Sequence, residues 1–106
     1  SQPNPPSALY VANGVMALGV MRAVSDLGLK CPQDISIAST DTVPGFAGIR
    51  PKLTRAEHPT NDMTNEAMRL LIDRITREPK TQPREVVFQA ALVLGESCAP
   101  PSNEFN

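Results

Sequence analysis

The chain has 106 residues, room for one small domain and too little for two. Hydrophobic residues at 41% and charged residues at 20% make a folding, soluble composition rather than a disordered one. Ten basic against eleven acidic groups give a formal net charge of -1, which argues against a phosphate-neutralising, nucleic-acid-binding surface on this stretch. No apolar run approaches the ~20 residues of a membrane helix, and no charged-then-apolar leader opens the chain. Cys31 and Cys98 fit no zinc spacing, because such a site takes four ligands in close pairs. A disulfide between them and a pair of free thiols both fit the composition.

Eleven prolines are about twice the average usage, and their positions mark the joints of the fold. Ala8 to Ala12 is a short apolar run without alternation, the pattern of a strand buried on both faces. Asn13 follows as a helix cap. From Val15 to Leu27 the positions Met16, Val20, Val24 and Leu27 recur at helical spacing, widened by Val15 and Leu18. Gly28 stands where a left-handed terminator belongs. Asp34 to Ser39, with Ile35 and Ile37, predicts a second strand. A strand, a crossover helix and a strand make a βαβ unit, which requires parallel strands.

Asp41 to Lys52, with Pro44, Gly45, Gly48 and Pro51, predicts a loop, and Leu53 to Glu57 a third strand. The cluster Thr60-Asn61-Asp62 after Pro59 announces a helix. Its apolar stripe is Met63, Ala67, Leu70, Leu71 and Ile75, opposite Asp62, Glu66, Arg69, Asp73, Arg74 and Arg77. After a loop at Lys80 to Pro83, Glu85 to Leu94 predicts two short strands or one bent strand. The tail from Ala99 lacks pattern and is expected to be mobile or draped on the surface. The fold class is α/β.

Three polar residues share one structural address. Asn13 follows the first strand, Asp41 the second and His58 the third. Carboxyl ends of parallel strands converge on the edge where open α/β folds bind small ligands. An amide, a carboxylate and an imidazole there suit a hydroxyl-rich or amide-bearing ligand. A plainer reading stands beside each: Asn13 as a helix cap, Asp41 as the cap of its loop, and His58 as an exposed turn residue. Nothing supplies a nucleophile at recognisable spacing, a phosphate loop or a dinucleotide fingerprint. The residues read as a binding module rather than an enzyme, with no catalytic residue, metal or cofactor.

The segment ALYVANGVMALGVMRAVSDLGLKCPQDISIASTD, from Ala8 to Asp41, closely resembles the effector domain of the LacI family of bacterial transcription regulators. RPKLTRAEHP at Arg50 to Pro59, EAMRLLIDRI in the second helix and GESCAPP near the end continue the match in order, from about Ala8 to Pro101. The resemblance implies a Rossmann-like parallel sheet with flanking helices, part of a periplasmic-binding-protein type I fold, and the carboxyl-terminal third of a longer regulator. Residues 1–7 would be a proline-rich leader and 8–58 a segment of the carboxyl lobe. Residues 59–79 would be a helix packing on the other lobe, 80–98 the return strands and 99–106 a tail.

In that family two lobes close on a small effector, often a sugar or nucleobase, and an amino-terminal helix-turn-helix binds operator DNA. The resemblance implies a sugar-like effector here, operator contact only through a head outside this chain, a bacterial cytoplasmic location and no membrane. Asn13 matches the Asn of the family's AND motif, and Asp41 the first Asp of its G-[FY]-D-D motif. His58 stands where a Gln is usual, and its imidazole would make effector affinity change between about pH 5.5 and 7.5. Gly14, Ser39, Thr40 and Thr42 depart from those motifs, which points to an unusual effector or to a pocket that has lost its ligand. The bare stripe of the second helix implies self-association or the missing lobe of the same protein. A periplasmic sugar-binding protein of a transport system is the alternative, and a remnant acting through protein contacts a third.

Overall fold

The computed structural model describes residues 3–41, 48–77 and 82–102. Six elements follow in chain order: β1 (Ala8–Val11), α1 (Gly14–Asp26), β2 (Ser36–Thr40), β3 (Thr54–Glu57), α2 (Thr60–Thr76) and β4 (Ala91–Val93). The strands form one sheet in the order β1-β2-β3-β4, with β1, β2 and β3 parallel. This is the expected α/β architecture. The chain divides into two compact units, Ser1–Glu57 with Leu92–Asn106, and His58–Ala91.

The first unit carries the core: Val11, Ala17, Val24, Ile35, Ile37 and Leu53, all buried. Leu18, Val20, Met21, Cys31 and Ile49 pack around them. The register pairs Leu9 with Ile37 and Val11 with Ser39, so these residues share a face by strand alternation.

Helix α1 turns part of the expected stripe inward, with Val24 buried and Leu18 and Val20 packed on the core, but not its outer positions. Met16 and Leu27 are 54% and 75% exposed, while Gly14 and Ala17 are buried with Val24. Small side chains in the first turns let the helix backbone lie close to the sheet, and the positions 14, 17, 21 and 24 follow the helical period. The helix ends as expected. Gly28 has φ of 76°, its N–H donates to Ser25 O at 3.0 Å, and Leu29 N–H donates to Val24 O at 3.0 Å. That paired closure is the Schellman motif, in which glycine carries the left-handed turn without a Cβ clash.

Strand β1 is not buried on both faces. Of its four residues only Val11 is buried, and Tyr10 is 67% exposed, because β1 stands at the edge of the sheet. Strand β2 begins later than expected. The Asp34 and Ile35 amides both donate to Lys30 O, at 2.7 and 3.3 Å, which commits those residues to a turn. Strand β3 accommodates Arg55 by pairing it: Nε donates to Glu57 Oε1 at 3.0 Å and Nη1 to Leu53 O at 3.0 Å.

The segment 95–99 closes the first unit. Ser97 is fully buried, and its hydroxyl accepts from Thr54 N–H at 2.9 Å and donates to Ile37 O. Ile37 N–H donates to Ser97 O at 2.9 Å. Two residues on, Ala99 N–H donates to Ser36 Oγ at 3.0 Å, and Ser36 Oγ lies 3.0 Å from Ala99 O as a donor. On the β3 side, Gly95 N–H donates to Thr54 Oγ1 at 2.9 Å and Glu96 N–H to Lys52 O at 2.6 Å. At Ala99 the tail is fastened to the surface rather than mobile, the second of the two alternatives expected for it. A Cβ at Gly95 would overlap the Lys52 carbonyl oxygen and lie 2.6 Å from Leu53 C and O; no other residue fits there.

The expected strands over 85–94 reduce to β4, and Val86-Val87-Phe88 lie in no regular element. Among the described residues that stretch has no ladder partner, and an apolar pattern alone cannot supply one. In the second unit, α2 starts at Thr60 with Pro59 at the N-cap position and no side-chain cap, so Thr60-Asn61-Asp62 form its first turn instead of preceding it. Arg69 bridges Glu66 and, at 3.4 Å, Asp73, and its hydrogen bond holds the Glu66 carboxyl below its ordinary range. No residue of α2 is buried, and Met63, Leu71 and Ile75 of its apolar stripe are exposed. Ser1, Gln2, Thr42, Pro44, Gly45, Lys80 and the end of the tail, all named in the reading of the sequence, lie outside the described residues.

Three substitutions test the closing segment by thermal or urea unfolding. Ser97→Ala leaves the Thr54 amide and the Ile37 carbonyl without the bridging hydroxyl and costs about 1–3 kcal/mol. Gly95→Ala destabilises at least as strongly, because backbone must shift. Ser39→Ala is neutral or stabilising: the buried Ser39 Oγ has no hydrogen-bond partner among the described residues, so the change removes a desolvated hydroxyl.

Candidate functional site

The parallel register carries Val11 level with Ser39, and two residues further on each strand come Asn13 and Asp41. Both stand at the carboxyl edge of the sheet, where the side chains leave the ladder and strand ends open toward solvent.

Asn13 has extended backbone, with φ of -153° and ψ of 169°, and its Oδ1 accepts the Met16 N–H at 2.9 Å. The plainer reading thus holds: Asn13 caps α1. The cap uses the carbonyl oxygen, and the exposed side chain keeps an amide NH2 with two donors. Gly14, buried directly after it, lets the first turn of the helix settle against the sheet.

Asp41 ends β2 in the left-handed region, with φ of 60°. Aspartate tolerates this better than most residues, although glycine pays less. Its backbone N–H donates to Ala56 O at 2.7 Å, extending the β2–β3 ladder one step beyond the pair Thr40 and Ala56. The backbone of Asp41 is thus fixed on one side by β3, which sets this half-buried residue at the edge of the sheet.

His58 is exposed and opens the second unit. Its carbonyl accepts the Thr60 N–H at 2.8 Å, which anchors the entry into α2. The two-strand level therefore joins Asn13 with Asp41, and His58 belongs to a separate compact unit.

One pair escaped the reading of the sequence. The Tyr10 hydroxyl is hydrogen-bonded to Thr40 Oγ1, across β1 and β2 and immediately before Asp41. Thr40 takes the place of an aromatic residue in the family's motif, and its hydroxyl meets that of an aromatic residue on the neighbouring strand. The alternation of β1 and the pairing of Tyr10 with Ala38 were the signal available, since they put residues 10, 38 and 40 on one face. The arrangement offers a carboxylate, an amide, two hydroxyls and an aromatic face. Such groups bind a neutral hydroxylated molecule by hydrogen bonds and ring contact. Among the described residues, no group of three or more His, Cys, Asp or Glu could hold a metal ion.

Two stability measurements separate the backbone roles of this edge from any ligand role. Asn13→Ala loses the cap and lowers stability by about 1 kcal/mol, whereas Asn13→Asp keeps a capping oxygen and changes it little. Asp41→Gly is less destabilising than Asp41→Ala, because only glycine removes the cost of positive φ.

Residues 1–98 match the family model of the periplasmic binding protein-like domain. The chain is 30% identical over 99 residues to the HTH-type transcriptional repressor PurR of Escherichia coli, covering 93% of this chain and 29% of that repressor. A LacI family transcriptional regulator from Enterococcus faecium, solved with bound ribose, superposes with a TM-score of 0.81 at 27% identity, over 91% of this chain and 36% of that one. The transcriptional regulator CelR in its cellobiose complex gives 0.77 at 31% identity, over 86% of this chain and 28% of that one. The chain thus spans less than a third of the length of the PurR repressors it matches. These relatives are transcriptional regulators rather than enzymes.

Proposed function

Since the chain belongs to the periplasmic binding protein-like family, as a fragment of the effector-binding domain of a LacI-family regulator, we propose that it is the effector-sensing part of a bacterial transcriptional regulator. The observation that carries the proposal is the position of Asn13 and Asp41, each two residues beyond the pair Val11 and Ser39, at the carboxyl edge of a sheet whose similar structures include ribose and cellobiose complexes. The effector is a small, hydroxyl-rich molecule of the sugar or nucleoside class. Asp41 accepts its hydroxyls, and a charge-assisted bond of that kind contributes about 1.5–3 kcal/mol. Asn13 donates from its amide while its oxygen keeps the cap. The chain performs no catalysis and needs no cofactor.

DNA contact belongs to a part of the protein outside this chain, in keeping with the near-neutral charge here. Helix α2 supports the same view. A helix of 17 residues without one buried side chain gains little from its own propensity, and its apolar stripe calls for a partner surface. The rest of the same polypeptide, more than two thirds of the length of the PurR relatives, supplies that surface. The whole protein acts as a cytoplasmic dimer in which effector binding shifts the balance between states of different operator affinity.

The test is calorimetric titration of the full-length protein with ribose, cellobiose and a nucleoside, alongside operator binding with and without each. One class binds and changes operator affinity, and Asp41→Asn weakens that binding by about tenfold or more. Binding by none of these ligands, or binding that leaves operator affinity unchanged, overturns the proposal.

A further inference from the structure

The two thiols lie at one place in the first unit although they are far apart in the chain. Cys31 sits in the turn after α1, and its Sγ is 3.4 Å from Ser97 O. Cys98 Sγ is 3.5 Å from Ile37 O. Those two carbonyls belong to residues already bonded to each other, because Ile37 N–H donates to Ser97 O at 2.9 Å. Both sulfurs thus address a single backbone pairing, one from the α1 turn and one from the closing segment. Cys98 is exposed and Cys31 half-buried, and both are free thiols. Burial pushes the Cys31 thiol up; the Ile37 backbone pulls it back, and the neighbouring Cys98 adds to the rise. A metal ion would find two sulfur ligands here and, among the described residues, no third His, Cys, Asp or Glu.

We propose that Cys31 and Cys98 form a reversible intramolecular disulfide, made by a hydroperoxide and broken by a dithiol. The exposed Cys98 reacts first because peroxide reaches it directly, and it gives its proton to solvent as it attacks. Its sulfur attacks the peroxide, an S–O bond forms, the O–O bond breaks, and hydroxide or alkoxide leaves. The Cys31 sulfur then attacks the sulfenic sulfur of Cys98. The S–S bond forms, the S–O bond breaks, and the departing oxygen takes the Cys31 proton to leave as water. In sum, two electrons pass from the thiols to the peroxide. Reduction runs by thiol–disulfide exchange, with the dithiol oxidised in turn. Exposure sets the order: the exposed sulfur acts as the sensor and the half-buried one as the resolving thiol.

The bond would fasten the turn after α1 to the segment 95–99, which already joins β2 and β3. Because it closes a long loop, the oxidised form is the more stable one.

Peptide mapping of the purified protein decides the matter. The protein is titrated with hydrogen peroxide, alkylated with iodoacetamide and digested without reductant. The expected product joins the Cys31 and Cys98 peptides within one chain, lacks two hydrogen atoms, reverts with dithiothreitol and melts several degrees above the reduced form. Cys31→Ser should accumulate a dimedone-reactive sulfenic acid at Cys98 and proceed to sulfinic acid. Wild-type protein whose Cys98 becomes sulfinic acid while Cys31 stays alkylatable overturns the proposal, and so do cross-links formed only between chains. The wild-type map is decisive even where a variant fails to fold.

Discussion

One buried hydroxyl holds the first unit together. At the amino-terminal ends of β2 and β3 the two strands are not yet paired with each other, since their register begins at Ala38 and Thr54. Ser97 fills the gap, its Oγ between Ile37 O and Thr54 N–H. Without it two strand ends would meet with unpaired backbone groups inside the core, beside Ile37 and Leu53, which are almost wholly buried. Hydrogen-bond satisfaction there is a condition for the apolar packing. Gly95 follows from the same constraint, because the segment can reach Ser97 only by passing hard against the backbone at Lys52 and Leu53.

The parts of the fold that were legible in the sequence are those written in local chemistry. Asn13 and Gly28 bracket α1 through a side-chain cap and a left-handed turn, and both work within a few residues of themselves. Ile37 and Leu53 are large and apolar in short runs, so the strands around them could be found. The inward face of α1 was harder. Periodicity weighted the large residues Met16 and Leu27, whereas close approach to the sheet selects Gly14 and Ala17, which carry little hydrophobic signal. The role of Ser97 and Ala99 was illegible, because it depends on groups some 60 residues away that no local pattern announces.

The candidate edge divides along the same line. Asn13 and Asp41 could be placed by counting from strand ends, and each lies two residues beyond the paired Val11 and Ser39. Tyr10 looked like core in an apolar run and is instead exposed, its hydroxyl on Thr40. The loss of an aromatic at position 40 therefore does not leave the edge without a ring. His58 illustrates a different limit: spacing puts it after β3, but it belongs to the compact unit that α2 organises.

The left-handed backbone at Asp41 has a consequence for laboratory evolution of this pocket. A left-handed residue costs roughly 1–2 kcal/mol for most side chains, and only glycine, asparagine and aspartate escape much of it. In a library randomised at this position, folding would discard most variants before any ligand was offered. Position 41 would look immovable for a reason unrelated to recognition. Substitutions at Tyr10 and Thr40 face no such filter, because their ordinary extended backbones accept many side chains at no conformational penalty.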